Sequence, residues 1–408
     1  MLARVAAAAR VRPPERTGAL LSATLVLSVG KGAFLATVMV YLLQIVGLTP
    51  LLATAGLTLW GAASAAVAVP TGLLVDRGRG RAVGSVAAVC AALLVPLSAR
   101  VHTPWALLLV LCVAGGFDSA GNVVRRAMLA GAGGDSVKAL AWARTVTNIG
   151  FALGALCSVR LLASRSPSAY ETAYLLIGGG YLVMAACFAT TSLGAGRRGS
   201  PSVRAPGVVG ARSLRTAGAL AAATGILTVH TTLLSTVLPL WVTRHASVPV
   251  SVLGWLVMLN SLIAVGGQLA VSRRAATREG ALRCFRNSAV WTAGCCLLLG
   301  LVRFAPTGWQ VVLLVAATIA LTGGELLEAA GEWGLSAVLA AADEHGFYQS
   351  ACVLGETTQG AAGPLLVAGL VTAAPVAGWI VLVAVLGAGR YIAGFTTPPP
   401  HKAIAIDS

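Results

Sequence analysis

Gly72-Leu73-Leu74-Val75-Asp76-Arg77-Gly78-Arg79-Gly80-Arg81 lies between two long apolar runs, residues 51–75 and 82–99. The connection is too short to leave the surface of a bilayer, yet it carries an aspartate and three arginines. A signal that only fixes orientation needs the arginines and not the acid, since Asp and Glu contribute little to topology. A fainter echo follows two hundred residues later, where Gly267-Gln268-Leu269 and Ser272-Arg273-Arg274 close another apolar run without the Asp. The rest of the chain reads as hydrophobic helices arranged around this charged hinge.

Composition supports that reading. Of 408 residues, 57% are hydrophobic and 10% charged, with a mean hydropathy of +0.85. Soluble domains carry about 25% charge, so the chain is read as a polytopic membrane protein whose first partner is the lipid bilayer. The net charge of +16 invites a nucleic-acid partner. That reading is excluded because the arginines fall in short loops between apolar spans, not on one soluble face. Eight cysteines (90, 112, 157, 187, 284, 295, 296 and 352) lie in or beside apolar spans with no metal-ligand spacing. They read as small buried hydrophobes, and no metal or cofactor is expected. Residues 1–16 hold four arginines and no long apolar core, so they read as a cytoplasmic tail and not a cleaved signal. Heavy use of Ala, Val, Gly and Arg suggests a GC-rich bacterial source, and hence a multi-pass protein of the inner (plasma) membrane.

A span needs about 20 mostly apolar residues. Twelve candidates occur, at roughly 18–44, 51–75, 82–99, 104–126, 138–163, 169–192, 216–243, 250–272, 281–302, 308–330, 347–372 and 374–395. With a cytoplasmic N terminus, only Arg100, Arg160, Arg165, Arg244 and Arg303 of the 29 Lys and Arg residues fall in outside loops, and Lys31 and Arg144 lie within spans. All the others are inside, as the positive-inside rule requires, which puts both termini in the cytoplasm. Residues 193–215, rich in Gly, Pro, Ser and Arg, form the only long polar connection and read as a flexible cytoplasmic linker. They divide the chain into six spans and six.

The opening stretch resembles the loop between helices 2 and 3 of major facilitator superfamily transporters, whose pattern runs G-x-L-x-D-R-x-G-R-R/K. Gly72, Leu74, Asp76, Arg77 and Arg81 match without a gap, while the Gly-Arg pair arrives one residue late, as Gly80-Arg81. The resemblance implies an all-α fold of 12 transmembrane helices in two six-helix bundles. The bundles would be residues 1–192 and 216–408, the latter with the C-terminal tail. It also implies that the Asp and its arginines latch the halves on the cytoplasmic side, that spans 1, 4, 7 and 10 line the cavity, that spans 5 and 11 lie at the interface between the halves, and that the protein is a monomer. The branch that looks nearest is bacterial and exporter-like. Its G-x-x-x-G-P signature in span 5 is incomplete here: Gly150 and Gly154 are present, but Ala155 stands in place of Pro.

Ionisable groups at membrane depth are costly and need a partner or a water-filled cavity. Each implied cavity-lining span has one near its centre: Lys31, Asp118, His230 and Glu325. The expected pairs are Lys31 with Asp118 and His230 with Glu325. Two other readings stay open: Asp118 as part of the latch with Arg125, and His230, within Thr228-Val229-His230-Thr231-Thr232, as a neutral hydrogen-bonded residue. Glu325, Glu328 and Glu332 recur at i, i+3 and i+7 and share a helix face. Glu332 is expected to reach the interface and be solvated, leaving Glu325 as the proton carrier. Arg144 and Glu356 could form a breakable lock across the halves, or each could be satisfied within its own. Trp60, Trp241, Trp255, Trp309 and Trp379 lie near span ends, as interfacial anchors do.

No Walker loop or metal-ligand cluster is present, so an ion gradient or the substrate's own gradient must supply the energy. An enzyme is not expected: there is no G-x-S-x-G, and none of the five histidines is spaced as H-x-x-x-H. The function expected is secondary active transport of a small molecule by alternating access, as proton-coupled efflux of a drug-like or natural-product compound. The alternatives are proton-coupled uptake of a small polar nutrient and, from another class, a non-transporting receptor or scaffold.

Overall fold

A computed structural model describes residues 17–101, 103–130, 136–164, 166–191, 211–275, 277–339 and 345–396. The side chains of Asp76 and Arg144 and most of the expected linker, residues 192–210, lie outside the described residues. Among the described residues the fold is helical throughout, without strands.

The N-terminal helices are α1 (Gly18–Val40, continued by a π turn at Tyr41–Ile45), α2 (Pro50–Leu74), α3 (Gly80–Ser98), α4 (Pro104–Ala130), α5 (Ser136–Ser164) and α6 (Pro167–Thr190). The C-terminal helices are α7, α8 (Val252–Arg274), α9 (Arg278–Val302), α10 (Thr307–Leu339), α11 (His345–Ala373) and α12 (Ala377–Ile392). α7 is broken into Ala211–Leu227, Val229–Thr232, a π turn at Leu233–Val237 and Leu238–His245. Helix therefore begins inside the stretch expected to be linker. Ten of these segments are long and apolar enough to cross a membrane, and Val252–Gln268 of α8 is a shorter apolar helix. α11 is more polar, diluted by Glu356-Thr357-Thr358-Gln359.

Local chemistry fixes the helix ends. Pro50, Pro104 and Pro167 open helices where a missing N–H costs nothing. Thr277 caps α9 by accepting the Gly280 N–H at 3.1 Å. The turn between α2 and α3 reverses at Gly78, whose φ of +78° is open to glycine and strained for other residues. This gives the quoted stretch its geometry: Gly78 makes the bend and Gly80 starts the next helix.

The bundle hides small residues inside and presents leucines to lipid. Leu93, Leu109 and Leu176 are 66%, 64% and 73% exposed. In hydrocarbon such a surface carries no penalty, because lipid tails are as apolar as leucine.

The helix pairs of one half repeat in the other. α1 packs on α5, α2 on α4, α3 on α6 and α3 on α4; likewise α7 packs on α11, α8 on α10, α9 on α12 and α9 on α10. The braces at the loop end opposite Gly78 repeat as well. Tyr41 Oη donates to the Ala99 carbonyl at 3.0 Å, and Trp241 Nε1 donates to the Leu299 carbonyl at 2.7 Å, both across 58 residues. Trp241 is therefore no lipid anchor. It is 1% exposed and sits edge-on to Trp379, which is 2% exposed, at 5.1 Å. Trp255 and Trp309 do face outward.

The halves meet chiefly through α2–α11 and α5–α8. At the first seam Gly61 lies against the Gly360 backbone, and Thr58 Oγ1 accepts the Leu365 N–H at 3.0 Å. At the second, Gly254 lies on Ala155 and Ser158, and Ala36, Ala155 and Val257 form a small apolar cluster with Leu234. Close backbone approach through small residues is the usual means of helix association in lipid.

Candidate functional site

Two groups of polar side chains sit inside this apolar fold, one in each half. The first is built on α1. Gly32 presses on the Phe151 backbone of α5, Gly30 on Ile177 of α6, and a Cβ on Gly154 would overlap the Val29 carbonyl. These contacts leave Lys31 projecting between α4 and α6. Its Nζ lies 2.5 Å from Asp118 Oδ1 and 3.3 Å from Asn122 Oδ1. Asp118 also accepts from Tyr181 Oη at 2.7 Å and from Asn122 Nδ2 at 3.2 Å. Lys31 further stands 5.9 Å from the centre of the Tyr181 ring, within cation–π range.

Arg125 extends the network by donating to Asn122 Oδ1 at 3.3 Å, while its buried Nε has no partner. A small cavity adjoins the group, walled by Leu27, Ala88, Phe117, Met184 and Phe188 and edged by Asp118, Asn122, Arg125 and Tyr181. Two cations here face one carboxylate, so the N-terminal site carries a surplus positive charge.

The second group lies on α7, α8, α10 and α11. Asn260 of α8 donates to Glu325 Oε2 at 3.0 Å and to Thr322 Oγ1 at 2.9 Å. His230 is 6% exposed and turns Nδ1 toward the Leu227 carbonyl of its own helix at 3.2 Å. A carbonyl only accepts, so Nδ1 carries the hydrogen. Gln359 of α11 donates to Thr232 of α7 at 3.2 Å. Glu328 and Glu332 are 3% and 2% exposed. Glu332 is thus not solvated at the interface as its position suggested, because α10 runs on to Leu339 and turns this face toward α7 and α11. Glu356 is exposed on α11.

Of the loop residues, Arg77 and Arg79 are exposed, and Arg81 donates to the Thr191 carbonyl at the end of α6 at 3.1 Å. The latch expected of Asp76 and the lock expected of Arg144 fall on side chains outside the described residues.

The structure thus joins Lys31 to Asp118 and gives Glu325 an amide partner in Asn260. Sequence reasoning missed Tyr181 and Asn260 as direct partners of the acids. Asn122 carried a readable signal, four residues after Asp118 on the same helix face. Tyr181 carried none.

Twelve helices in two like halves, each enclosing ionisable groups, are the architecture of a membrane transporter. The family model described as Major Facilitator Superfamily matches residues 20–364. The chain belongs to that superfamily. No curated protein matches it in sequence. Among solved structures it is similar to the nucleoside transporter NupG, with a TM-score of 0.73 and 14% identity over 94% of this chain and 98% of that one. It is also similar to a bacterial homolog of the human lysosomal transporter Spinster in an inward-facing and occupied conformation (TM-score 0.68, 13% identity, 93% and 94% covered). A POT family transporter in complex with 5-aminolevulinic acid is a third (TM-score 0.70, 12% identity, 93% and 95% covered). At such identities the likeness speaks for the fold alone.

Proposed function

We propose that the protein is a proton-coupled exporter of a small drug-like or natural-product compound, working by alternating access between bundles 1–192 and 216–408 across the linker 193–215. The observation that carries this reading is the Lys31–Asp118–Tyr181 network beside an apolar-walled cavity. A buried ion pair with satisfied hydrogen bonds gives way when a proton or a charged substrate changes one partner. Lys31, Asp118, His230 and Glu325 act in coupling and binding. Gly72, Leu74, Asp76, Arg77 and Arg81 act as the cytoplasmic latch, and Arg144 with Glu356 as the lock between halves. The protein works as a monomer in the bacterial inner membrane with both termini in the cytoplasm.

Proton-coupled uptake of a small polar nutrient is the second reading, favoured by the density of hydrogen-bonding groups at Asp118 and Glu325. Proteoliposomes loaded on either side with a compound panel, with and without a pH gradient, separate the two. Efflux driven by an opposing proton flow supports export, and accumulation along the proton flow supports uptake. Flux of no compound in either direction would return the protein to the receptor or scaffold class.

A further inference from the structure

We infer that Glu328 and Glu332 share a single proton inside the C-terminal half, and that this pair is a further proton-binding site of the protein, distinct from Lys31, Asp118, His230 and Glu325. The inference rests on the proton-coupled reading above for its purpose but not for its geometry. The two carboxyl groups stand one turn apart on α10, both nearly without solvent contact, and meet in a side-chain hydrogen bond. An ionised carboxylate has four acceptor sites and no donor, so two of them cannot bond to each other. The contact closes only when one group keeps its O–H and the other accepts it.

A second observation points the same way. Glu328 Oε1 is buried and has no hydrogen-bond partner. An anionic oxygen in that position would have lost its water and gained no donor, the arrangement that buried charges avoid. Glu325 differs on each count: it is partly exposed, and it receives an amide N–H from Asn260.

The groups around the pair add negative charge. Glu325 on the same helix and Glu356 on α11 supply that charge, and the neutral Cys352 thiol approaches beside them from α11. α7 contributes Thr224 beside Cys352, and its short Val229–Thr232 segment, bearing His230, packs on α10. From α8 the approaching group is Asn260, at Glu325. α9 meets the opposite face of α10, where Gly331 lies on the Phe285 backbone and Gly324 on Thr292. Release of the proton breaks the carboxyl O–H, forms an O–H on a water molecule, and leaves two like charges one helical turn apart. The pair therefore discharges only when water or a cation reaches it, which ties its protonation to the opening of the half.

The test is infrared spectroscopy of the purified full-length protein near neutral pH, reading the hydrogen–deuterium-sensitive C=O band of protonated carboxyl groups. Glu328→Gln and Glu332→Gln are each expected to remove one carboxylic-acid equivalent, the double variant to remove no more than either single, and Glu325→Gln to leave that equivalent in place. An unchanged band in a folded Glu328→Gln or Glu332→Gln variant overturns the inference, as does its disappearance in Glu325→Gln. If one of the two glutamine variants fails to fold, the other decides. The band behaving as expected while substrate flux ignores a pH gradient would sink the coupling reading and leave the shared proton standing. Flux driven by pH with the band unmoved would sink the shared proton alone.

Discussion

Neutralising Lys31 and Asp118 together should cost less than the two single losses added. Lys31 Nζ and Asp118 Oδ1 are 2.5 Å apart, with side chains only 20% and 13% exposed. Breaking a fully buried pair by removing one partner costs about 3–5 kcal/mol, and the residual exposure argues for the lower part of that range. The two single variants should also differ. In Lys31→Met, Asp118 keeps the Tyr181 hydroxyl and the Asn122 amide, so we expect a loss of about 2 kcal/mol, as for a charge left with hydrogen bonds but no counter-ion. In Asp118→Asn, Lys31 keeps the Asn122 carbonyl oxygen and the face of Tyr181, and we expect about 3 kcal/mol. The double variant removes both members of the pair, leaving Arg125 on Asn122, and should lose about 2 kcal/mol, giving a coupling energy of about 3 kcal/mol, at the upper end for residues in contact. Thermal denaturation of the four proteins in one detergent, followed by intrinsic fluorescence, measures the cycle. Single losses that simply add in the double variant would show that the pair contributes no mutual stabilisation and would remove the basis for its role in coupling.

Thr58→Val removes a hydrogen bond between the halves worth about 1 kcal/mol, which would shift the balance away from this arrangement about fivefold. A cysteine replacing Val257, in a background without native cysteines, should then react correspondingly faster with an impermeant maleimide, and an unchanged rate would contradict the expectation. Gly154→Val places a branched side chain against the Val29 carbonyl and should cost about 1–3 kcal/mol through overpacking, read as a lower melting temperature. Gly78→Ala forces a Cβ into the left-handed region and should cost about 1 kcal/mol, although open space surrounds the position. A neutral result there would mean that the turn relaxes into another form.

Hydrophobic run length carried nearly all of the architecture. The expected span at 104–126 became Pro104–Ala130, and the one at 281–302 became Arg278–Val302. Capping Pro and Thr residues sharpened the edges. The largest departure was α10, expected to end near residue 330 and running to Leu339, and it changed the chemistry of its acids. Hydropathy sees Glu328 and Glu332 as the edge of a span. Only packing against α7 and α11 reveals that they are inside. Trp241 and Trp379 failed in the same way, because position along a helix does not tell which neighbour a side chain meets. Lys31 and Asp118 could be paired on paper because lone charges in lipid demand partners. Asn260, an amide on another helix, could not be anticipated as the partner of Glu325.

The matching braces, Tyr41 on Ala99 and Trp241 on Leu299, have a mechanical consequence. Each half is pinned at the same corner by an aromatic ring clasping the end of its third helix, so the two should be about equally stiff. Deformation then concentrates in the seam of bare glycine backbone, not inside either block. Neither block is the stator. A map of damaging substitutions along the chain should look like one pattern printed twice, with position 41 answering to 241 and 99 to 299.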